Sequence, residues 1–119
     1  MFTITKEFHF SASHVLHGLA AGHPCGRMHG HNYIVEAVLE ADDVDAVGFV
    51  RDYGDLAPLK QFIDGALDHR HLNDVLGDVQ PSAENIARFL FEQFEAQFPE
   101  LSAIRVSETP KTWAEYRPS

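Results

Sequence analysis

The chain has 119 residues and a mass of 13.3 kDa, enough for one compact domain and too few for two. Nine Lys and Arg against eighteen Asp and Glu give a formal charge of −9, which argues against general nucleic-acid binding by phosphate neutralisation. Hydrophobic residues at 45% fit a globular domain; with no apolar run near the roughly 20 residues of a membrane helix and no secretory pattern at the N-terminus, a cytoplasmic location is expected.

Phe2, Ile4, Phe8 and Phe10 alternate with Thr3, Thr5, Glu7 and His9. Period two over Phe2–Ser11 predicts a strand with one buried side. Residues 17–27 carry Gly18, Gly22, Pro24 and Gly26 and read as a loop. His29–Ala41 reads as a second strand, with Tyr33, Val35, Ala37 and Leu39 on one face and Ile34 and Val38 on the other, so both faces are expected to be covered. The acidic turn of Asp42, Asp43 and Asp45 reads as solvated loop. Asp55 is the expected cap of a first helix with Leu56, Leu59, Ile63, Ala66 and Leu67 as its stripe and Pro58 in its first turn. Ser82 caps a second, with Glu84 at its positive end, a core stripe of Ile86, Phe89, Leu90, Phe94 and Phe98, and Pro99 as the stop. Leu101–Thr109 and Thr112–Arg117 are the last two strands.

The order β-β-α-α-β-β predicts an α+β domain: a four-stranded antiparallel sheet with two helices on one face. Apolar residues on the second face and unpaired edge strands would favour closure into a multi-subunit barrel.

Histidine is over-represented, with six of the eight in the first 31 residues. In His29-Gly30-His31, residues i and i+2 of a strand point to one side about 6.6 Å apart and can converge on one ion. His14 follows the first strand and joins them if the two strands form a hairpin. Three neutral imidazoles with an open fourth position describe a catalytic zinc site. The plainer reading makes His14 a core or capping residue and the pair surface histidines.

Cys25 is the single cysteine, which excludes an intrachain disulfide and a multi-cysteine zinc site. Arg27 and the histidines around it favour a thiolate and a general-base role over inert burial. Asp68 beside His69 suggests an oriented imidazole, although a polar helix end accounts for the pair equally well. Glu108, in the row of Ile104 and Val106, needs a partner, either the N–C–N edge of a heterocycle or an ordinary ion pair.

The segments Phe10-Ser11-Ala12-Ser13-His14, Cys25-Gly26-Arg27-Met28-His29-Gly30-His31-Asn32, Leu67-Asp68-His69, Pro81-Ser82-Ala83-Glu84-Asn85 and Ser107-Glu108-Thr109 together resemble the 6-pyruvoyl-tetrahydropterin synthase family over nearly the whole chain. The Cys25-Gly26-Arg27 wording is more similar to its queuosine-pathway branch. The resemblance implies the tunnelling fold (T-fold) and hexamers built as a dimer of trimers, with active sites at subunit interfaces. It implies zinc on His14, His29 and His31, Cys25 as proton-abstracting base assisted by His69 with Asp68 behind it, and Glu108 as pterin anchor. Arg27, Arg70 and Lys111 are candidates for a triphosphate. The implied reaction converts 7,8-dihydroneopterin triphosphate to 6-carboxy-5,6,7,8-tetrahydropterin, acetaldehyde and triphosphate. Its rivals are pyruvoyl synthase activity, an aldolase-like cleavage, and a zinc- or pterin-binding module without turnover. A cupin reading of His29-x-His31-x4-Glu36 fails because Asp43 stands where that motif expects glycine. His71 and the run Pro110-Lys111-Thr112-Trp113 depart from the family pattern and put the substrate side chain in question.

Overall fold

A computed structural model describes residues 1–119. It consists of strands β1 (Phe2–His14) and β2 (His29–Ala41), helices α1 (Ala57–Phe62), α2 (Leu72–Leu76) and α3 (Ala83–Phe94), then strands β3 (Leu101–Thr109) and β4 (Thr112–Tyr116). The strands form one antiparallel sheet in the order β1-β2-β3-β4, so β1 and β4 are its edges. The helices cover one face only, as the element order predicts. No helix is long and apolar enough to cross a membrane.

β1 runs beyond the predicted Phe2–Ser11 to His14, because Ala12 and His14 continue the buried row of Phe8 and Phe10. Its ladder with β2 is unbroken from Phe2 opposite Ala41 to His14 opposite His29. On the covered face Phe10, Tyr33, Val35, Ile104 and Val106 pack with Leu59, Ile63, Ile86 and Leu90 in a single core. Each such side chain stabilises the fold by about 1.5–3 kcal/mol relative to leaving it exposed.

The first helix starts differently from the sequence expectation. Asp52, rather than Asp55, accepts a hydrogen bond from the Gly54 N–H at 2.8 Å and opens a 3₁₀ turn over Tyr53–Leu56. That turn feeds α1, with Pro58 in its first turn. Asp55 lies inside the turn and pairs with Arg51 at 3.5 Å. After α1 the chain widens into a π turn, Ile63–Leu67, in which the Asp68 N–H donates to the Ile63 carbonyl at 2.9 Å. The short α2 is a third helix absent from the sequence reading, since five residues are too few for a periodic signal; it buries Leu72 and Leu76 and ends at Gly77, whose φ is 64°. In α3 the Ser82 hydroxyl accepts from the Asn85 N–H at 3.2 Å, as predicted. Regular helix ends at Phe94, and the irregular turn after it still buries Phe98.

The open face is not the apolar surface expected from Ile34 and Val38. These residues and Ala103 are bracketed by ion pairs, Arg105 to Glu36 at 2.9 Å and Arg117 to Glu40 at 2.7 Å. Glu115 bridges both arginines at 3.7 and 3.5 Å, and the Arg105 guanidinium lies over the Trp113 ring. The alternating charged positions of β2, β3 and β4 build this lattice across the strands.

Asp52→Ala is expected to lower stability by about 1 kcal/mol in urea unfolding, and Asp55→Ala by less. The reverse order would return the cap to Asp55.

Candidate metal centre

Strand register assembles the centre. His14 and His29 are direct partners across β1 and β2, and His31 follows two residues on, so all three side chains share the helix-covered face. Gly30 between them faces the other way, where a Cβ would meet the Ala12 carbonyl oxygen at 3.4 Å, an ordinary contact. One donor nitrogen from each ring lies within 4.8 Å of the others. His14 is fully buried, as the plainer reading expects of a core residue, but its ring gathers with those of His29 and His31.

The outer hydrogen bonds set the tautomers of two of the rings. His14 Nδ1–H donates to the Pro81 carbonyl and His29 Nδ1–H to the Arg27 carbonyl, each at 2.7 Å. A carbonyl oxygen can only accept, so in the neutral rings both Nε2 atoms carry lone pairs. Those two Nε2 atoms face each other at 3.0 Å. Two lone pairs at that separation repel until a proton or a cation comes between them. Glu108 adds a second unmet demand: its Oε2 is buried without a hydrogen-bond partner, 3.9 Å from both His14 Nε2 and His31 Nε2. Convergent imidazole nitrogens beside an uncompensated carboxylate oxygen fit a divalent cation, and carbonyl-fixed tautomers are the usual outer shell of such a site. Burial lowers the pKa of His31 against the opposing pull of Glu108, which favours the neutral ring that ligation requires. Burial, reinforced by the Glu108 charge, raises that of the Tyr33 phenol, which stays protonated.

Asp68 and His69 are joined as the sequence suggested, by a route it did not show. Residues 68–71 run along the end of β1. The Ser11 N–H donates to Asp68 Oδ1 at 2.9 Å, the His69 N–H to the Ser11 carbonyl at 2.6 Å, and the Ser13 N–H to the Arg70 carbonyl at 3.1 Å. Ser13 Oγ and His71 Nδ1 lie 2.9 Å apart. So held, Asp68 Oδ2 meets His69 Nδ1 at 2.9 Å. The Ser11 N–H and then the His69 ring lower the Asp68 pKa. His69 alone among non-glycine residues has a positive φ, 58°, and its side chain is 82% exposed. A left-handed backbone at a β-carbon residue costs about 1–2 kcal/mol, tolerated here because two backbone hydrogen bonds and one from the Ser11 N–H to the Asp68 carboxylate fix the segment. The segment is the polar end of the π turn, with Asp68 at its C-cap and Arg70 on the Gly65 carbonyl, and it also pairs the His69 imidazole with Asp68.

A shallow hollow of about 510 Å³ brings His31 together with His69 and His71. A second, of about 330 Å³, joins Glu108 to Trp113 at the start of α3. Of the departures from the family pattern, His71 lines the hollow of His31, and Thr112 and Trp113 from the run Pro110-Lys111-Thr112-Trp113 line that of Glu108. Cys25 sits half-buried in a 3₁₀ turn, Pro24–Gly26. Its N–H donates to His23 Nδ1 at 3.1 Å and its carbonyl accepts from the Leu16 N–H at 3.1 Å. It belongs neither to the gathered donors nor to the hollow holding His69. Arg27 and Lys111 are exposed, while Arg70 donates to the Gly65 carbonyl at 3.1 Å. The Pro81 carbonyl and the Tyr33 hydroxyl, which both touch His14, escape the sequence reading. A backbone oxygen leaves no mark in a sequence, and Tyr33 there is one more apolar position.

An antiparallel four-stranded sheet with helices on one face and a three-imidazole centre at its β1–β2 end places the chain in the T-fold class. The 6-pyruvoyl tetrahydropterin synthase of Caenorhabditis elegans superimposes with a TM-score of 0.87 at 27% identity, covering 99% of this chain and 96% of that one. The model of the 6-pyruvoyl tetrahydropterin synthase family matches residues 3–119, and the chain belongs to that family. It is 31% identical over 129 residues to the 6-carboxy-5,6,7,8-tetrahydropterin synthase of Bacillus subtilis, covering 98% of this chain and 86% of the relative. To the Synechocystis protein of the same name it is 35% identical over 122 residues, covering 98% and 93%.

The depressed Asp68 pKa makes stability depend on pH. The charged form is favoured in the folded state, so its contribution is complete above the ordinary carboxylate range and is lost as pH falls through the lowered value. Asp68→Asn is expected to be less stable than wild type near neutrality, with the gap closing in acid. A gap that stays constant in urea titrations down through that range would remove the charge from the account.

Proposed function

We propose that the chain is a zinc-dependent 6-carboxy-5,6,7,8-tetrahydropterin synthase that converts 7,8-dihydroneopterin triphosphate with release of acetaldehyde and triphosphate, in the cytoplasmic route to queuosine. The observation that carries this reading is the convergence of His14, His29 and His31 beside the unpartnered Glu108 oxygen. The names of the Bacillus and Synechocystis relatives support the 6-carboxy product over the pyruvoyl one.

His14 and His29 would hold zinc through Nε2, with His31 as third ligand. When bound there, zinc supplies Lewis acidity toward the side-chain oxygens of the substrate and makes the adjacent C–H acidic. Cys25 is the base that takes this proton. With Nδ1 tied to Asp68, His69 keeps Nε2 free to accept or return a proton, and Asp68 stabilises the ring when it is charged. Glu108 offers a carboxylate to the paired N–H groups of the pterin edge, the two-point match that fixes ring orientation. The pterin ring takes up the electrons within the molecule, so no external hydride carrier is needed. Arg27, Arg70 and Lys111 are assigned to the triphosphate. Because Cys25 and His69 occupy separate places on one subunit, we assign completion of the site to an interface between copies, in a homo-oligomer of the hexameric type.

Incubation of the zinc-loaded protein with 7,8-dihydroneopterin triphosphate should give the 6-carboxy product by mass spectrometry. Cys25→Ala should reduce turnover about 100-fold or more with zinc content unchanged. A pyruvoyl or aldol-cleavage product would replace the assigned reaction, and full activity in Cys25→Ala would remove the base.

A further inference from the structure

β1 ends at His14, and the residues that follow it have no strand partner. Two side-chain amides take the partner's place. Asn73, in α2, accepts from the Val15 N–H and donates to the Val15 carbonyl, each at 2.9 Å. Gln80, just before α3, does the same for His17: its Oε1 accepts from the N–H at 3.1 Å and its Nε2 donates to the carbonyl. An amide side chain offers an acceptor and a donor side by side, so each one satisfies both polar groups of one residue. Gln80 is itself held, since its backbone carbonyl accepts from Asn85 Nδ2 at 2.9 Å.

Leu16 lies between the two clamped residues and bonds elsewhere. Its N–H donates to the Cys25 carbonyl at 3.1 Å. The turn that carries Cys25 has little else to fasten it. Residues 18–22 are exposed and hydrogen-bond only within the loop, through the His23 N–H and the Ala20 carbonyl. His23 in turn accepts from the Cys25 N–H, which is again a bond inside the loop. On the far side the Arg27 carbonyl accepts from His29 Nδ1. The Cys25 turn is thus tied at two points, one to the His29 ring and one to the clamped segment 15–17.

From this chain of contacts we infer that Asn73 and Gln80 are positioning residues for Cys25. By gripping Val15 and His17 they hold the peptide of Leu16, and that peptide holds the turn bearing the thiol. The helix layer thereby fixes a residue of a loop that does not pack its own backbone. A misplacement of about 1 Å at a reacting group can cost about 100-fold in rate, so a tether of this kind matters to turnover. The inference rests on the assignment of Cys25 as the base, and it names what keeps that base in place.

Cys25 is the single cysteine, so alkylation by iodoacetamide reads the turn directly. In Asn73→Ala/Gln80→Ala the half-buried thiol should be alkylated about 3-fold faster than in wild type or more, because the rate follows access. With zinc saturating, kcat on 7,8-dihydroneopterin triphosphate should fall about 10-fold or more while KM stays within about twofold. In a Cys25→Ala background the same double change should lower the residual turnover by no more than about twofold. Asn73→Asp and Gln80→Glu keep the acceptor for each N–H and lose the donor to each carbonyl, and should shift both readouts the same way by less. If the alanine variant does not fold, the same criteria apply to these two. Unchanged alkylation, or equal losses of turnover with and without Cys25, overturns the clamp and leaves the base standing. Faster alkylation with turnover unchanged keeps the clamp and removes Cys25 as the base.

Discussion

Two imidazole nitrogens that both carry lone pairs are held 3.0 Å apart, and the organisation of this protein follows from keeping them there. The β1–β2 ladder sets His14 against His29, and two carbonyl oxygens, of Pro81 and Arg27, fix which nitrogen of each ring faces inward. Neither carbonyl belongs to the sheet. One ends the segment before α3 and the other leaves the 3₁₀ turn of Cys25, so helix and loop placement are part of the centre's geometry. The rings are oriented by the fold before anything binds, which keeps the ordering cost out of the binding step.

Strain and unmet polarity are concentrated around that point. The one positive φ outside glycine is at His69, the orphaned carboxylate oxygen is at Glu108, and the π turn leads straight into Asp68. Elsewhere the chain is conventional, with a capped α3, a continuous core and a charge-paired open face. Apart from Arg51 Nε, a buried donor without a hydrogen bond elsewhere in the chain, the broken local rules cluster around the gathered rings, the pattern expected when a rigid scaffold supports a functional site.

Much of this was legible in the sequence. Period two gave the strands, the Ser82 cap and its stripe gave α3, and the spacing of His14, His29 and His31 gave the donor set. The losses have separate physical causes. Asp52 and Asp55 are both competent caps, and only the Gly54 turn decides between them. The helix α2 is shorter than one period of any pattern. The open face read as apolar from β2 alone because the arginines that cover it, Arg105 and Arg117, come from strands seventy residues away. Cys25 and His69 are paired by the family resemblance alone, and their surroundings in the single chain are different.

The backbone of residues 69–71 lies alongside Ser11 and Ser13 and consumes the outward hydrogen-bonding groups at that end of β1. The stretch from Phe2 to Phe10, roughly 30 Å long at strand spacing, is the portion of this border still able to receive another strand. Any sheet continued across it from a second molecule must stop short of the imidazoles. A seam joining neighbours along this border would thus carry a built-in gap beside the ligating rings, a doorway whose position the polypeptide dictates before assembly begins.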